Sequence, residues 1–136
     1  MKLVNDTITV YNTYLDIDGL NVYVGTVIKG VHWFMETISN VTNDGLKSAN
    51  RYTIRIPADA DFSGKTYVSP IAYKKAADHD GIFTFAQGDV IVLGIAPLTI
   101  TKPRDLFNTY DEAVTVLGVT DNRRAPQAKH WKVVGS

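Results

Sequence analysis

Residues 82–94, IFTFAQGDVIVLG, decide the fold. Phe83 and Phe85 flank Thr84 with period two, Gln87-Gly88-Asp89 supplies turn residues, and Val90 to Leu93 is a largely β-branched run suited to a buried strand. The stretch predicts two short strands folded back on each other. A charge-free arm such as VIVL at a sheet edge invites aggregation, so it is expected at the centre of a sheet with the other strands built around it.

Outward from that segment, the pattern stays that of strands. Residues 6–14, DTITVYNTY, alternate Thr7 and Thr9 against Ile8 and Val10, which predicts a strand with one buried face. Asp18-Gly19 turns the chain into a second strand, 21–28, with Gly25 at a bulge. After Gly30 a third strand is expected over 31–38, with both faces partly covered. Residues 39–50, SNVTNDGLKSAN, read as a long loop. Residues 51–57, RYTIRIP, predict a strand with Tyr52, Ile54 and Ile56 inward and Arg51, Thr53 and Arg55 outward, ended by Pro57.

The chain then turns through 58–64 and extends over 65–69. Ser69-Pro70 reads as an N-cap followed by the first helical residue of a short helix carrying Ile71, Tyr73 and Ala77. Thr101 is expected to cap a second short helix over 102–109, with Leu106, Phe107 and Tyr110 against the sheet. Residues 113–120 and 129–134 predict a terminal hairpin around the loop 121–128, DNRRAPQA, with Trp131 in the core. The expected fold class is all-β with two short helices: a single domain over 1–136, either a β-barrel or a strongly bent antiparallel sheet with a C-terminal hairpin.

Composition narrows the function. With 136 residues, 45% of them apolar, the chain can bury one core. Its 14 basic and 14 acidic residues cancel, which argues against binding through phosphate neutralisation, so nucleic acid is not expected as a partner. No apolar run reaches the roughly 20 residues that span a bilayer, so no membrane association is expected. Residues 1–10 lack a basic start and an apolar core, so no signal peptide is expected. The absence of cysteine removes disulfides, thiolate nucleophiles and Cys-ligated metal sites.

Candidate chemistry is sparse. Asp59-x-Asp61-x-Ser63-Gly64 opens like a calcium loop, but its twelfth position is Pro70, where the bidentate Glu belongs, so an acidic turn bonding its own amides is the better account. His32, His79 and His130 are far apart, and His79 is expected to be solvated. There is no Gly-x-Ser-x-Gly elbow, phosphate loop or dinucleotide fingerprint. The chain is therefore expected to be non-enzymatic, with no catalytic residue, cofactor or metal. Arg123-Arg124, at the tip of the terminal loop with only Asp121 to neutralise them, suit bidentate pairing with a partner's carboxylate or phosphate. Asp121, Asn122, Arg123, Arg124 and His130 form the candidate protein-interaction set.

Five blocks carry a resemblance: NDTITVYN (5–12), ANRYTIRIP (49–57), DFSGKTYVSP (61–70), FAQGDVIVLG (85–94) and VTDNRRAPQAKHWKVVG (119–135). Through them nearly the whole chain resembles a family of small proteins of undetermined activity encoded in prophages of Gram-positive bacteria, among genes for head and tail structural proteins. In outline it also looks like phage head-closure or head–tail connector proteins: small β-barrels with an early hairpin, a long mobile loop, a Gly-Asp turn entering an apolar strand and a C-terminal strand. The resemblance implies a ring-forming subunit, made in the bacterial cytoplasm and carried in the virion at the head–tail junction, whose partners are copies of itself and other phage structural proteins. A minor tail or tail-completion protein is the nearest alternative. A small-ligand or carbohydrate-binding β-sandwich, with a pocket from Trp33, Tyr52 and Tyr67, is the alternative from another class.

Overall fold

The computed structural model describes residues 6–42, 45–124 and 126–136, with side chains for these apart from 36–42 and 45–50. The strands are β1 (Asp6–Leu15), β2 (Asn21–Thr42), β3 (Gly45–Pro57), β4 (Thr66–Tyr67), β5 (Ile82–Phe83), β6 (Val90–Leu93), β7 (Thr99–Ile100), β8 (Ala113–Asp121) and β9 (His130–Gly135). Two short helices, α1 (Pro70–Lys75) and α2 (Arg104–Thr109), complete the chain.

The sheet runs β1-β6-β8-β9-β3-β2, and β2 pairs back onto β1, closing a six-stranded antiparallel barrel with β7 added outside on β2. β2 closes the ring because it changes partner along its length. It pairs with β1 through Val31 and with β3 from His32 onward. The second and third strands expected over 21–28 and 31–38 are thus one continuous strand. Its corner is Gly30, whose φ of +87° accommodates the extra residue where Asp6 faces Val31 but Thr7 faces Lys29. The bulge expected at Gly25 is therefore at Gly30. Gly25 serves close approach instead: its amide donates to the Leu98 carbonyl (2.8 Å), and a Cβ there would lie 2.9 Å from Leu98 Cα.

The barrel interior is filled by Ile8, Val10, Ile28, Ile54, Ile56, Ile91, Val114 and Val133, with an aromatic group of Phe62, Tyr67, Phe83, Phe85 and Trp131. A second apolar layer lies on the outer face, where Leu106 of α2 packs with Tyr11, Val90, Val92 and Ala96. This second layer corrects the one-faced reading of β1. Residues 8–12 are all buried, because Ile8 and Val10 face the barrel while Tyr11 faces α2. Tyr11 satisfies its hydroxyl by donating to the Pro97 carbonyl (2.6 Å), and burial pushes its pKa up to about 12.

β6 sits centrally as expected, between β1 and β8 with Val90–Val92 buried. The hairpin with 82–83 does not form. β6 has both edges occupied, and β5 pairs in parallel with β4 in a separate two-stranded sheet. The 39–50 loop is also overturned. Residues 39–42 and 45–50 lie in β2 and β3, paired from Ser39↔Ser48 to Thr42↔Gly45, while 43 and 44 lie outside the described residues. A ladder is made of backbone bonds, which polar side chains do not prevent.

Ser69 caps α1 as expected, its Oγ accepting from the Ala72 amide (3.2 Å). α2 begins at Arg104 rather than 102, with Pro103 instead of Thr101 at the N-cap and no side-chain bond there. Leu106 and Tyr110 pack against the sheet, whereas Phe107 is exposed. The inward set of β3 and the terminal β8–β9 hairpin agree with expectation.

Candidate functional site

One residue organises the interior polar chemistry. Asn12, on β1 and 1% exposed, donates from Nδ2 to the Thr84 carbonyl (2.6 Å) and to Asp89 Oδ2 (2.8 Å), while its Oδ1 accepts from the Thr84 amide (3.1 Å). The side-chain amide takes both backbone partners of Thr84, as a neighbouring strand would. This explains why 84–86 leaves the β4–β5 sheet without pairing to β6. Asp89 Oδ2 also accepts from the Ala86 amide (3.1 Å), closing the turn before β6.

Asp89 is 6% exposed, and its pKa is pushed up to about 7. Burial is the main cause; the hydrogen bonds from Asn12 and Ala86 and the charge of Lys74 oppose it without cancelling it. Asp89 lines a cleft of about 510 Å³ between the end of β1, α1 and the 84–89 segment. Thr13, Tyr14, Asn21, Tyr73, Lys74, Thr84 and Gln87 share its wall. The Tyr73 hydroxyl and Thr84 Oγ1 are buried with no hydrogen-bond partner among the described residues. Burial, then the charge of Asp89, drive the Tyr73 pKa upward, so its hydroxyl stays protonated. Beside the cleft, His79 stacks on Tyr14 (centroids 3.6 Å apart, planes 3° apart) and its Nε2 lies 2.8 Å from the Tyr73 carbonyl. His79 is therefore a packed residue rather than the solvated one expected.

The interaction set chosen from sequence is brought together at the β8–β9 end, where it is satisfied largely by itself. Arg123 Nε and Nη2 grip the Asp121 carboxylate at 2.7–3.1 Å, holding the Asp121 pKa below the usual carboxylate range. The same guanidinium lies over the rings of Tyr67 (4.8 Å) and Trp131 (4.7 Å). Asn122 Nδ2 approaches His130 Nε2 (3.2 Å) and His130 Nδ1 approaches the Ala128 carbonyl (2.6 Å), an arrangement that the Nδ1–H tautomer satisfies. Arg124 is exposed. Residue 125 of this loop lies outside the described residues.

Two further features are surfaces. Beyond Met35↔Tyr52 the β2–β3 ladder continues for seven pairs, Glu36↔Arg51 to Thr42↔Gly45, past the end of β9 and with no third strand among the described residues. At the β1–β2 turn, Leu15 (65%), Ile17 (100%) and Leu20 (64%) expose apolar side chains together. The acidic turn behaves as expected: Asp61 Oδ1 accepts from the Ser63 amide (3.0 Å). Trp33 and Tyr52 meet at a tilt (centroids 5.3 Å apart, planes 56° apart), while Tyr67 packs with Trp131 (4.8 Å).

Sequence reasoning missed Asn12 as the partner of both Thr84 and Asp89. They join across 72–77 residues, a distance at which no local pattern operates. The only signal was an Asn inside an otherwise apolar and β-branched strand.

The fold and these features define a small closed antiparallel barrel with a partly polar cleft beside α1 and a two-stranded ribbon that outruns its sheet. The chain belongs to the DUF6751 family, a family of unknown function, with the match covering residues 3–136. No curated protein and no solved structure matches it.

Proposed function

We propose that the protein is a non-enzymatic structural subunit of a phage or prophage particle, a head–tail connector or head-closure component that works through protein–protein contacts. The ribbon carries this reading. A two-stranded ribbon is marginal on its own in water, and its unpaired N–H and C=O rows are a template for a further strand. Seven pairs at about 3.4 Å per residue give it a reach of roughly 20 Å, enough to cross onto a neighbouring subunit. The apolar turn at Leu15, Ile17 and Leu20 supports the same reading, since three such side chains in water favour burial against a partner.

The occupant is a second copy of this chain in a ring, with other particle proteins above and below. The self-contained Asp121–Arg123 pair leaves Arg124 as the guanidinium offered at the loop tip. Replacement of residues 37–50 by an Asn-Gly turn tests the assignment. The barrel is expected to keep its melting temperature, while self-association in sedimentation and incorporation into particles are lost. Unchanged association and particle yield would remove the ribbon from the assembly.

A further inference from the structure

The outer wall of β3 and β9 carries an arrangement that the barrel by itself does not favour. Ile54, Ile56, Trp131 and Val133 are buried inward, so Arg55 and Lys132, which alternate with them, point outward. The two lie directly opposite each other in register. Like charges in that relation destabilise a sheet, and an anion laid over them reverses the effect. Neither side chain makes an ion pair or a hydrogen bond among the described residues. On β2, His32 is paired with Arg55, and Phe34, 49% exposed, holds its ring 6.3 Å from that of His32. Glu36 and Arg51, paired in register further along, carry opposite charges, so the excess of positive charge sits at Arg55 and Lys132.

The β1–β2 turn is the complement of this wall. Its exposed Leu15, Ile17 and Leu20 are interleaved with Asp16 and Asp18. Asp78 and Asp80, after α1, share with Asp16 and Ile17 a depression of about 440 Å³, on which Lys74 is the single cation. Asp16 and Asp78 accept turn amides on Oδ1 at 2.9 Å, whereas the carboxylates of Asp18 and Asp80 accept no hydrogen bond among the described residues. The net charge of zero, 14 basic against 14 acidic residues, hides this separation of sign. The two regions lie on opposite sides of the barrel, since β9 stands three places from β1 in the ring of six strands.

We propose that the β1–β2 turn of one copy docks on the β3–β9 outer wall of the next, Ile17 and Leu20 against Phe34, with Asp18 and Asp80 over Arg55 and Lys132. The contact rests on the reading that a second copy of this chain is the partner, and it assigns the two surfaces that meet. An apolar centre with a rim of opposite charges gives such a contact both burial and orientation. Because it joins unlike surfaces head to tail, it propagates from copy to copy and closes into a ring where the rotation allows.

The test is sedimentation of the whole protein over a range of concentrations and salt. The wild type should associate, and less so as salt rises. Asp18→Lys with Asp80→Lys, and separately Arg55→Glu with Lys132→Glu, should each weaken association by at least about tenfold, since like charges then meet. Neither pair of changes removes a side-chain hydrogen bond, so both variants should fold. An equal mixture of the two should associate again, because each supplies the unaltered surface that the other lacks. Ile17→Ser, at a fully exposed side chain, gives an independent reading and should also weaken association. A monomeric wild type, a charge-reversed variant or Ile17→Ser that associates as the wild type does, or a mixture that stays apart would overturn the contact. Association lost on replacing residues 37–50 but unaltered by both charge reversals would overturn this contact alone and leave the ribbon as the interface. Binding of a dT oligonucleotide that Arg55→Glu with Lys132→Glu abolishes, self-association being kept, would give the wall to single-stranded nucleic acid instead.

Discussion

Replacing Asp89 by Asn is expected to stabilise the protein, and to do so increasingly as the pH rises. The Asp89 pKa moves from 3.8 to about 7 on folding, because the carboxyl is buried with too little compensation. The folded state therefore holds its proton over a range in which the unfolded chain has released it. Below the unfolded value both states are protonated and the group is neutral to stability. As pH climbs through about 4 to 7, stability falls by about 1.4 kcal/mol per unit, and above the folded value the loss is complete. Three units amount to about 4 kcal/mol, felt nearly in full because the side chain is almost fully enclosed. The replacement amide keeps a carbonyl oxygen for Asn12 Nδ2 and the Ala86 amide but carries no charge. Urea unfolding of both proteins at about pH 5 and about pH 8 isolates the effect, since every other titrating group cancels in the difference. The advantage of Asp89→Asn should grow by about 2–3 kcal/mol between those conditions. A constant difference, or one that shrinks with pH, would show that neighbouring dipoles hold the carboxylate charged in the folded protein.

Further perturbations probe the frame. Ile54→Ala, at a fully buried interior position, should cost about 2–5 kcal/mol by denaturant unfolding, and a loss under about 1 would invert the assigned facing of β3. Gly25→Ala puts a Cβ 2.9 Å from the Leu98 backbone, so it should destabilise by about 1–3 kcal/mol and loosen β7, seen as faster amide exchange at Thr99 and Ile100. Arg123→Ala together with Arg124→Ala should leave the barrel folded with a loss of about 1 kcal/mol or less, because the Asp121 pair is exposed, while particle assembly falls. Normal particle yield from that double variant would remove the loop from the interface.

What was legible in the sequence was what local rules govern. RYTIRIP alternates on a period of two and buries Ile54 and Ile56, Ser69-Pro70 marks a helix start, and the segments on either side of the NRRAPQA stretch are strands that pair. The illegible parts share a non-local cause. Val90 to Leu93 announces a buried strand but cannot announce its neighbours, and the expected partner was displaced because Asn12 captures the backbone of Thr84 from 72 residues away. Asp89 read as a turn residue, which it is. Its burial comes from β1 and α1, and only the folded chain brings them beside it. The ribbon was hidden by a polar composition that says nothing about backbone pairing.

The order of strands around the barrel has a consequence for synthesis. β1 can fold onto the first half of β2 as soon as both have left the ribosome, yet its other edge stays bare until β6 emerges some 80 residues later. The edge of β3 waits longer still, for β9, the last of the described strands in chain order. A nascent chain must therefore carry two open sheet edges until β9 has emerged, the condition under which chains stick to one another. Ring closure is then a late, single event, and a chain lacking residues 130–135 would hold both β3 and β8 permanently unsealed.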